Sequence, residues 1–260
     1  MNDELKVTRN GQILEVTLDR PKANAIDAAT STAMGQVFSD FRDDNDLRVA
    51  ILTGGGDRFF SAGWDLKAAA EGESYDSDYG VGGFGGINEL FDLNKPVIVA
   101  MNGHAIGGGF ELSLAADIII AADHVEMWQP EIFAGVIGDS GCFRLPRMIP
   151  MNIAKELLLT GRRMGTEEAL RWGIINAAVP VDQLMVAARE MAETMIAAAP
   201  LALAATKETI RLTQSVGIEE CYAMMKNGGL PMFDIMLASE DAQEGPQAFA
   251  EKRDPVWKGR

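Results

Sequence analysis

Three short runs restrict the fold more than anything else in this chain: VAIL at 49–52, VIVAM at 97–101 and IIIAA at 118–122. Each is apolar throughout and rich in β-branched residues. Each is also too short for a helix of ordinary length, so each predicts a strand buried on both faces. Residues 12–18, QILEVTL, alternate instead. Leu14, Val16 and Leu18 share one face, as in a half-buried strand. Helical patterns lie between the runs. Asp27 opens one in which Met34, Val37, Phe38 and Phe41 fall at i, i+3, i+4 and i+7, one apolar stripe. Strands alternating with helices predict an α/β fold.

After about residue 150 the strand signal fades. Thr166 before Glu167 and Glu168 predicts a helix start, with anions at the positive end of the dipole. Asp182 is expected to cap another helix with a stripe of Leu184, Ala188, Met191 and Met195. Ile218, Cys221, Tyr222 and Met225 form one more stripe. The chain therefore reads as an α/β core over 1–195 and a helical region over 196–260. The methionines of that region read as filler for a core or a subunit contact.

Composition excludes several classes. At 260 residues, 47% hydrophobic and 23% charged, the chain is neither disordered nor fibrous. No apolar run reaches the roughly 18–20 residues of a membrane helix. The polar start Met1–Asn10, with Asp3 and Glu4, is not a signal peptide. Lys plus Arg is 23 against 38 for Asp plus Glu, a net charge of −15. Such a surface repels phosphate backbones, which argues against a nucleic-acid partner. Cys142 and Cys221 lie far apart, and His104 and His124 complete no ligand pattern. No metal site is expected, and the cysteines read as reduced thiols of a cytoplasmic protein.

Two stretches stand out. Residues 71–86, EGESYDSDYGVGGFGG, are glycine-rich and polar, and predict a mobile loop of the kind that gates sites. In 102–113, NGHAIGGGFELS, Gly107-Gly108-Gly109 stand between a strand and a helical run. Glycines there let the backbone approach a ligand with free amides pointing outward. A tight turn with no ligand is the plain alternative; a dinucleotide turn fits three consecutive glycines poorly. Glu111 lies in the first turn of that helix, and Glu131 lies in WQPEIFAG. Each has a plain role as an anion at a helix start. Both, however, sit among Ile, Phe and Trp, where burial raises a carboxyl pKa toward proton transfer. The loop Phe59-Phe60-Ser61-Ala62-Gly63-Trp64-Asp65 offers amides that pair with one from the glycine turn as an oxyanion hole. His104 reads as packing, and Asp65 and Lys67 as helix capping and solvation.

These motifs together resemble the crotonase superfamily, the enoyl-CoA hydratase/isomerase fold. The carrying residues are Asp19-Arg20-Pro21-Lys22, Phe60 to Asp65, Lys95-Pro96-Val97 to Glu111, Gln129-Pro130-Glu131, and Glu244-Gly245-Pro246 through Phe249 to Lys252-Arg253. Longer stretches, DRPKANAID, FFSAGWDLKAAAEGE, TGRRMGTEEALRWGI and FAEKRDPVWKGR, are similar to its carnitine-type branch. The resemblance implies a spiral of ββα units with a C-terminal helical trimerisation region. It implies Glu111 and Glu131 as catalytic acids, and the amides of Ala62 and Gly108 as the oxyanion hole. Lys22, Ala23, Gly63, Trp64, Asp65 and Leu66 match positions that hold CoA, and Phe249 and Lys252 match residues that cover it. No cofactor is implied, because coenzyme A is part of the substrate. The implied partner is an acyl-CoA, with no nucleic acid and no membrane, in a homotrimer or a dimer of trimers.

Two glutamates in register with the glycine turn favour hydration or dehydration of an enoyl thioester. A double-bond isomerase, a general hydratase and a non-catalytic CoA-binding scaffold remain as alternatives. Asp139 stands where simple hydratases have glycine, as aspartate does in isomerase relatives and in the carnitine-type branch; Gly138 and Cys142 depart from that branch, so the pocket beside Glu131 is expected to differ. For a quaternary ammonium on the acyl group, Trp64, Phe84, Trp128, Phe133 and Asp139 are the aromatic and anionic candidates. For Trp128 core packing is the stronger reading.

Overall fold

The computed structural model describes residues 4–260; Met1, Asn2 and Asp3, with the start of the expected 1–195 segment, lie outside the described residues. The chain forms two compact units. One comprises residues up to Phe91 with Val97–Ala192, the other Asp92–Pro96 with Glu193–Arg260.

The first unit runs β1 (Leu5–Asn10), β2 (Ile13–Leu18), β3 (Ala25–Ile26), α1 (Ala28–Asp43), β4 (Val49–Gly54), β5 (Phe59–Ser61), β6 (Gly63–Trp64) and α2 (Leu66–Ala70). After it come β7 (Val97–Met101), β8 (His104–Ile106), α3 (Gly108–Leu114), β9 (Ile118–Ala122), β10 (Glu126–Trp128), α4 (Asp139–Met148) and α5 (Met151–Thr160). Then follow β11 (Met164–Gly165), α6 (Thr166–Trp172), β12 (Ala177–Val179) and α7 (Leu184–Ile196), whose last turn enters the second unit. The second unit continues with α8 (Pro200–Thr213), α9 (Ile218–Lys226), α10 (Pro231–Ala238) and α11 (Glu240–Glu251).

A six-stranded sheet has the order β1-β2-β4-β7-β9-β12, and a four-stranded sheet the order β11-β10-β8-β5. The three apolar runs are β4, β7 and β9, side by side and parallel, with Leu52 opposite Val99 and Val99 opposite Ile119. Buried on both faces, they have no need of alternation. The architecture repeats: one strand in the larger sheet, one in the smaller, then a helix. β4-β5-α2, β7-β8-α3 and β9-β10-α4 are three such turns.

That repetition places the motifs. β5, β8 and β10 are adjacent and parallel, with Ser61 opposite Ala105, and Ile106 opposite Trp128. The residues that follow each strand, Ala62 onward, Gly107 onward and Gln129 onward, therefore leave the sheet at one edge. Two polar residues, Asn24 buried and Arg20 half-buried, hold the loops before them. Asn24, at φ 51°, donates its amide nitrogen to the carbonyls of Gly55 (2.9 Å), Phe59 (2.9 Å) and Phe60 (3.2 Å). Arg20 donates to Glu4 (3.0 Å), Asp27 (2.8 Å), Asp65 (2.5 Å) and the Ala25 carbonyl (3.0 Å). Removing this half-buried cation takes the shared positive charge from three carboxylates. Arg20→Met is expected to cost about 2–3 kcal/mol, read as a lower urea midpoint with an unchanged slope.

Several expectations hold. Asp27 caps α1 by accepting from the Thr30 amide at 2.8 Å, and Met34, Phe38 and Phe41 are fully buried. Asp65 caps α2. Others are corrected. Strands do occur after residue 150: β11, and β12 on the edge of the larger sheet against β9. Ala177 and Ala178 carry little strand propensity, and pairing with a buried neighbour outweighs it. Asp182 lies within a short 3-10 turn ahead of α7 and makes no side-chain cap. In 71–86 the glycines from residue 82 serve packing. A Cβ on Gly86 would lie 2.4 Å from the Gly35 amide nitrogen of α1, so this part of the expected loop is seated on a helix. The stripe on α9 faces outward in the chain by itself, with Ile218 74% and Tyr222 59% exposed.

Candidate active site

Glu111 follows the turn after β8, and Glu131 opens the 3-10 turn Glu131–Ala134 after β10. Gly138 lies beside both carboxyls and Gln129. A Cβ there would be 2.9 Å from Glu111 Oε1 and 3.2 Å from Glu131 Cδ. A side chain at this point would fill the gap the two acids share. Glu111 is 6% exposed, and its Oε1 accepts the Gly141 amide of α4 at 2.6 Å. Burial raises its pKa to about 8; the Gly141 N–H and the charge of Arg144 pull down, while Glu131 and Asp139 push up. Burial likewise raises Glu131 to about 7, opposed by its own backbone N–H and helped by Asp139. Gln129 is buried beside them. With its amide nitrogen turned to the acid, it donates to both Glu131 oxygens at 2.9 Å.

The glycine turn serves close approach. Gly107 has φ 55°, and a Cβ on it would lie 2.7 Å from Glu131 Oε1. Gly108 opens α3, so its N–H has no intrahelical partner. The Phe84 ring lies against it, 2.5 Å from where a Cβ would stand. Gly63 has φ 79°, and its Cβ would lie 2.7 Å from the Gly108 nitrogen. The loop 59–65 and the glycine turn therefore meet.

The expected donor Ala62 is corrected. Its N–H is donated to the Ala23 carbonyl at 2.9 Å, which turns it away from any ligand. Asp65 donates to the Ile26 carbonyl at 2.9 Å. Alternation along a strand turns the preceding amide, that of Trp64, to the opposite edge.

Pairing of β3 with β6 sets Ala25 opposite Gly63 and Ile26 opposite Trp64, and the Ala23 carbonyl accepts the Ala62 N–H. Lys22 and Leu66 are exposed there, whereas the Asp65 carboxylate is engaged by Arg20 and by the amides of Lys67 and Ala68. Phe249 is 87% exposed and Lys252 ends α11 at φ 56°, both in the second unit. Asp139, exposed, opens α4. Tyr75 faces it: burial, then Asp139 and the two glutamates, push the phenol pKa well above its ordinary range. The Tyr75 hydroxyl donates to the Ile137 carbonyl at 2.7 Å, and its ring meets Trp64 edge-on at 5.6 Å.

Two aromatic candidates are corrected. The Trp128 ring carries the Arg163 guanidinium at 4.5 Å and packs against His104. Phe133 is 76% exposed, with its ring edge against Gly161. His104 accepts the Glu126 amide on Nδ1 at 3.0 Å, which confirms packing. Sequence reasoning assigned nothing to Gln129, Gly141 or Tyr75. Gln129 stood inside the motif Gln129-Pro130-Glu131, whereas α4, which carries Gly141, left no signal that was read.

The model of the enoyl-CoA hydratase/isomerase family matches residues 8–260; the chain belongs to this family. Among its relatives are the carnitinyl-CoA dehydratases of Salmonella heidelberg strain SL476, 59% identical, and Salmonella choleraesuis strain SC-B67, 60% identical, each covering 100% of both chains. Of solved structures, an enoyl-CoA hydratase from Mycobacterium tuberculosis H37Rv is 39% identical with a TM-score of 0.89, covering 99% of each chain. An enoyl-CoA hydratase from Mycobacterium marinum is 38% identical with a TM-score of 0.90 over the same shares. The α/β fold expected from the sequence is thus the crotonase fold, C-terminal helices included.

Proposed function

We propose that this chain is a CoA-thioester hydro-lyase that interconverts crotonobetainyl-CoA and carnitinyl-CoA through two glutamates and a backbone oxyanion hole. The observation that carries this reading is the pair of carboxyls beside Gly138, Glu111 buried and Glu131 half-buried, with Glu131 also against Gly107 of the glycine turn. The carnitinyl-CoA dehydratases that match over the full chain support the acyl group.

Adding water across the enoyl double bond moves electron density onto the thioester oxygen. The N–H groups of Gly108 and Trp64 are the donors proposed for that oxygen; one such donor is worth about 2.7–4 kcal/mol. Glu131 gives its proton to the α-carbon. Glu111 takes a proton from the water whose oxygen bonds to the β-carbon. The reverse reaction exchanges the roles. Burial raises both carboxyls toward neutral pH, where two coupled acids can share one proton. One acid and one base are what hydration needs. Acid, base and electrophile all come from the chain, so no cofactor enters beyond the CoA of the substrate.

Lys22, Ala23, Gly63, Leu66 and the backbone of Asp65 are proposed to hold CoA. Phe249 and Lys252 are proposed to cover it, with residues 196–260 serving assembly into a trimer or dimer of trimers. The outward stripe of α9 supports that assembly. Asp139 with Trp64 and Phe84 is proposed to face the acyl end. No helix among the described residues is long and apolar enough to cross a membrane, and the free thiols of Cys142 and Cys221 fit the proposed cytoplasmic location.

The test is a panel of acyl-CoAs followed at the absorbance of the enoyl thioester. Crotonobetainyl-CoA is expected to exceed crotonyl-CoA in kcat/KM by at least tenfold. Equal values would leave a general enoyl-CoA hydratase, the activity named for the mycobacterial structures. No turnover of any member would remove the hydro-lyase reading.

A further inference from the structure

The charged and titratable groups facing Glu111 are Glu131 after β10, Asp139, Cys142 and Arg144 on α4, and Tyr75 from the segment after α2. All but Arg144 are neutral or anionic. Arg144 lies three residues beyond Gly141, on the same face of α4. Its Nε donates to Ser140 Oγ at 3.0 Å, and its Nη2 to the Asn88 carbonyl at 2.9 Å. Ser140 donates in turn to Asn88 Oδ1 at 3.1 Å, and Asn88 Nδ2 donates to the Phe84 carbonyl at 2.9 Å. Phe84 is the residue whose ring lies on Gly108. One buried polar chain therefore runs from the wall of the glycine turn to the first turn of α4. Both acceptors of Arg144 are neutral oxygens, which leaves Glu111 as the negative charge it answers. Burial pushes the guanidinium pKa down, and Glu111 draws it back up.

We infer that Arg144 is a positioning residue of this site: it clamps the first turn of α4 so that the Gly141 N–H meets Glu111, and it supplies the positive charge that lets a desolvated Glu111 serve as a carboxylate. A polar network of this kind rigidifies what it joins, and a half-buried cation drawn from its anion is costly. The inference rests on the proposed role of Glu111 as the base, so its test has a readout apart from turnover.

The full chain carrying Arg144→Lys or Arg144→Met is compared with the unsubstituted protein in two measurements. One is the pH dependence of kcat/KM on the best acyl-CoA of the panel. The other is a carboxyl titration by infrared difference, with Glu111→Gln identifying the Glu111 band. Losing a nearby cation raises a carboxyl pKa by about one unit or more. The Met variant is therefore expected to move the acid limb and the Glu111 band upward by that amount. Its rate loss is at least tenfold below neutral pH and shrinks as pH rises. The Lys variant keeps the limb in place, because the charge remains, and lowers kcat, because one ammonium does not span Ser140 and Asn88. If Arg144→Met does not fold, Arg144→Gln, uncharged but still a donor, carries the same comparison. A folded, uncharged variant with both limb and band unmoved overturns the inference. An unsubstituted protein inert to every acyl-CoA overturns the proposed function instead, while the infrared band still reports on Arg144.

Discussion

Glu111→Gln lowers turnover by about 10²–10⁴-fold, the usual contribution of a positioned acid or base, and makes the protein more stable in alkali. The second effect separates a buried catalytic carboxyl from a structural one. Glu111 titrates at about 8 in the folded chain against an ordinary 4.5. A group whose folded pKa is raised lends stability that is complete below pH 4.5 and is lost as pH climbs through 8. Glutamine keeps an acceptor for the Gly141 N–H and carries no charge to desolvate. The two proteins should match in stability near pH 4. At pH 9 the variant should be ahead by several kcal/mol, with about 5 kcal/mol the ceiling for a shift of this size. Urea unfolding at both pH values, beside kcat at neutral pH, makes the measurement. A variant less stable than its parent at pH 9 would mean that Glu111 is held mainly by partners of its anion.

Gly63→Ala is the second large effect. At φ 79° the added methyl would stand 2.6 Å from the Ile106 carbonyl and 2.7 Å from the Gly108 nitrogen. Gly63 is tied into the β3–β6 pairing and Ile106 into the β8–β10 pairing, so relief requires moving the glycine turn. Overpacking of this kind costs about 1–3 kcal/mol, and the left-handed conformation adds about 1 kcal/mol for a residue with a Cβ. A proposed oxyanion donor pushed off its aim lowers kcat by about 10²–10³-fold. Gly56→Ala is the control. Its φ is also 79°, yet nothing lies within 4 Å of the added methyl. It should lose the conformational share of stability and none of the rate. Full kcat in folded Gly63→Ala would detach the glycine turn from the chemistry.

What the sequence exposed and what it hid follow from physics. Buried parallel strands announce themselves by continuous apolar runs, so β4, β7 and β9 were legible, as were α1 and its Asp27 cap. Glu111 and Glu131 were legible as acids in apolar surroundings; that they share Gly138 was not, because strand register is a long-range property. The direction of an amide is finer still. Ala62 and Trp64 are two residues apart, yet the kink at Gly63 decides which N–H is engaged by β3's neighbour and which is left over. Trp128 looked available as an aromatic face and proved occupied by Arg163, thirty-five positions away on a segment no spacing rule connects to it. β12 was invisible because two alanines form a strand only where an existing edge recruits them.

The three groups of residues proposed to surround the thioester each leave from the end of a different strand of one small sheet, on separate coils of the same repeating unit. Lengthening or rewriting any one connector therefore alters the reaction performed without re-registering the scaffold beneath it. Such modularity lets one architecture host many acyl-thioester chemistries.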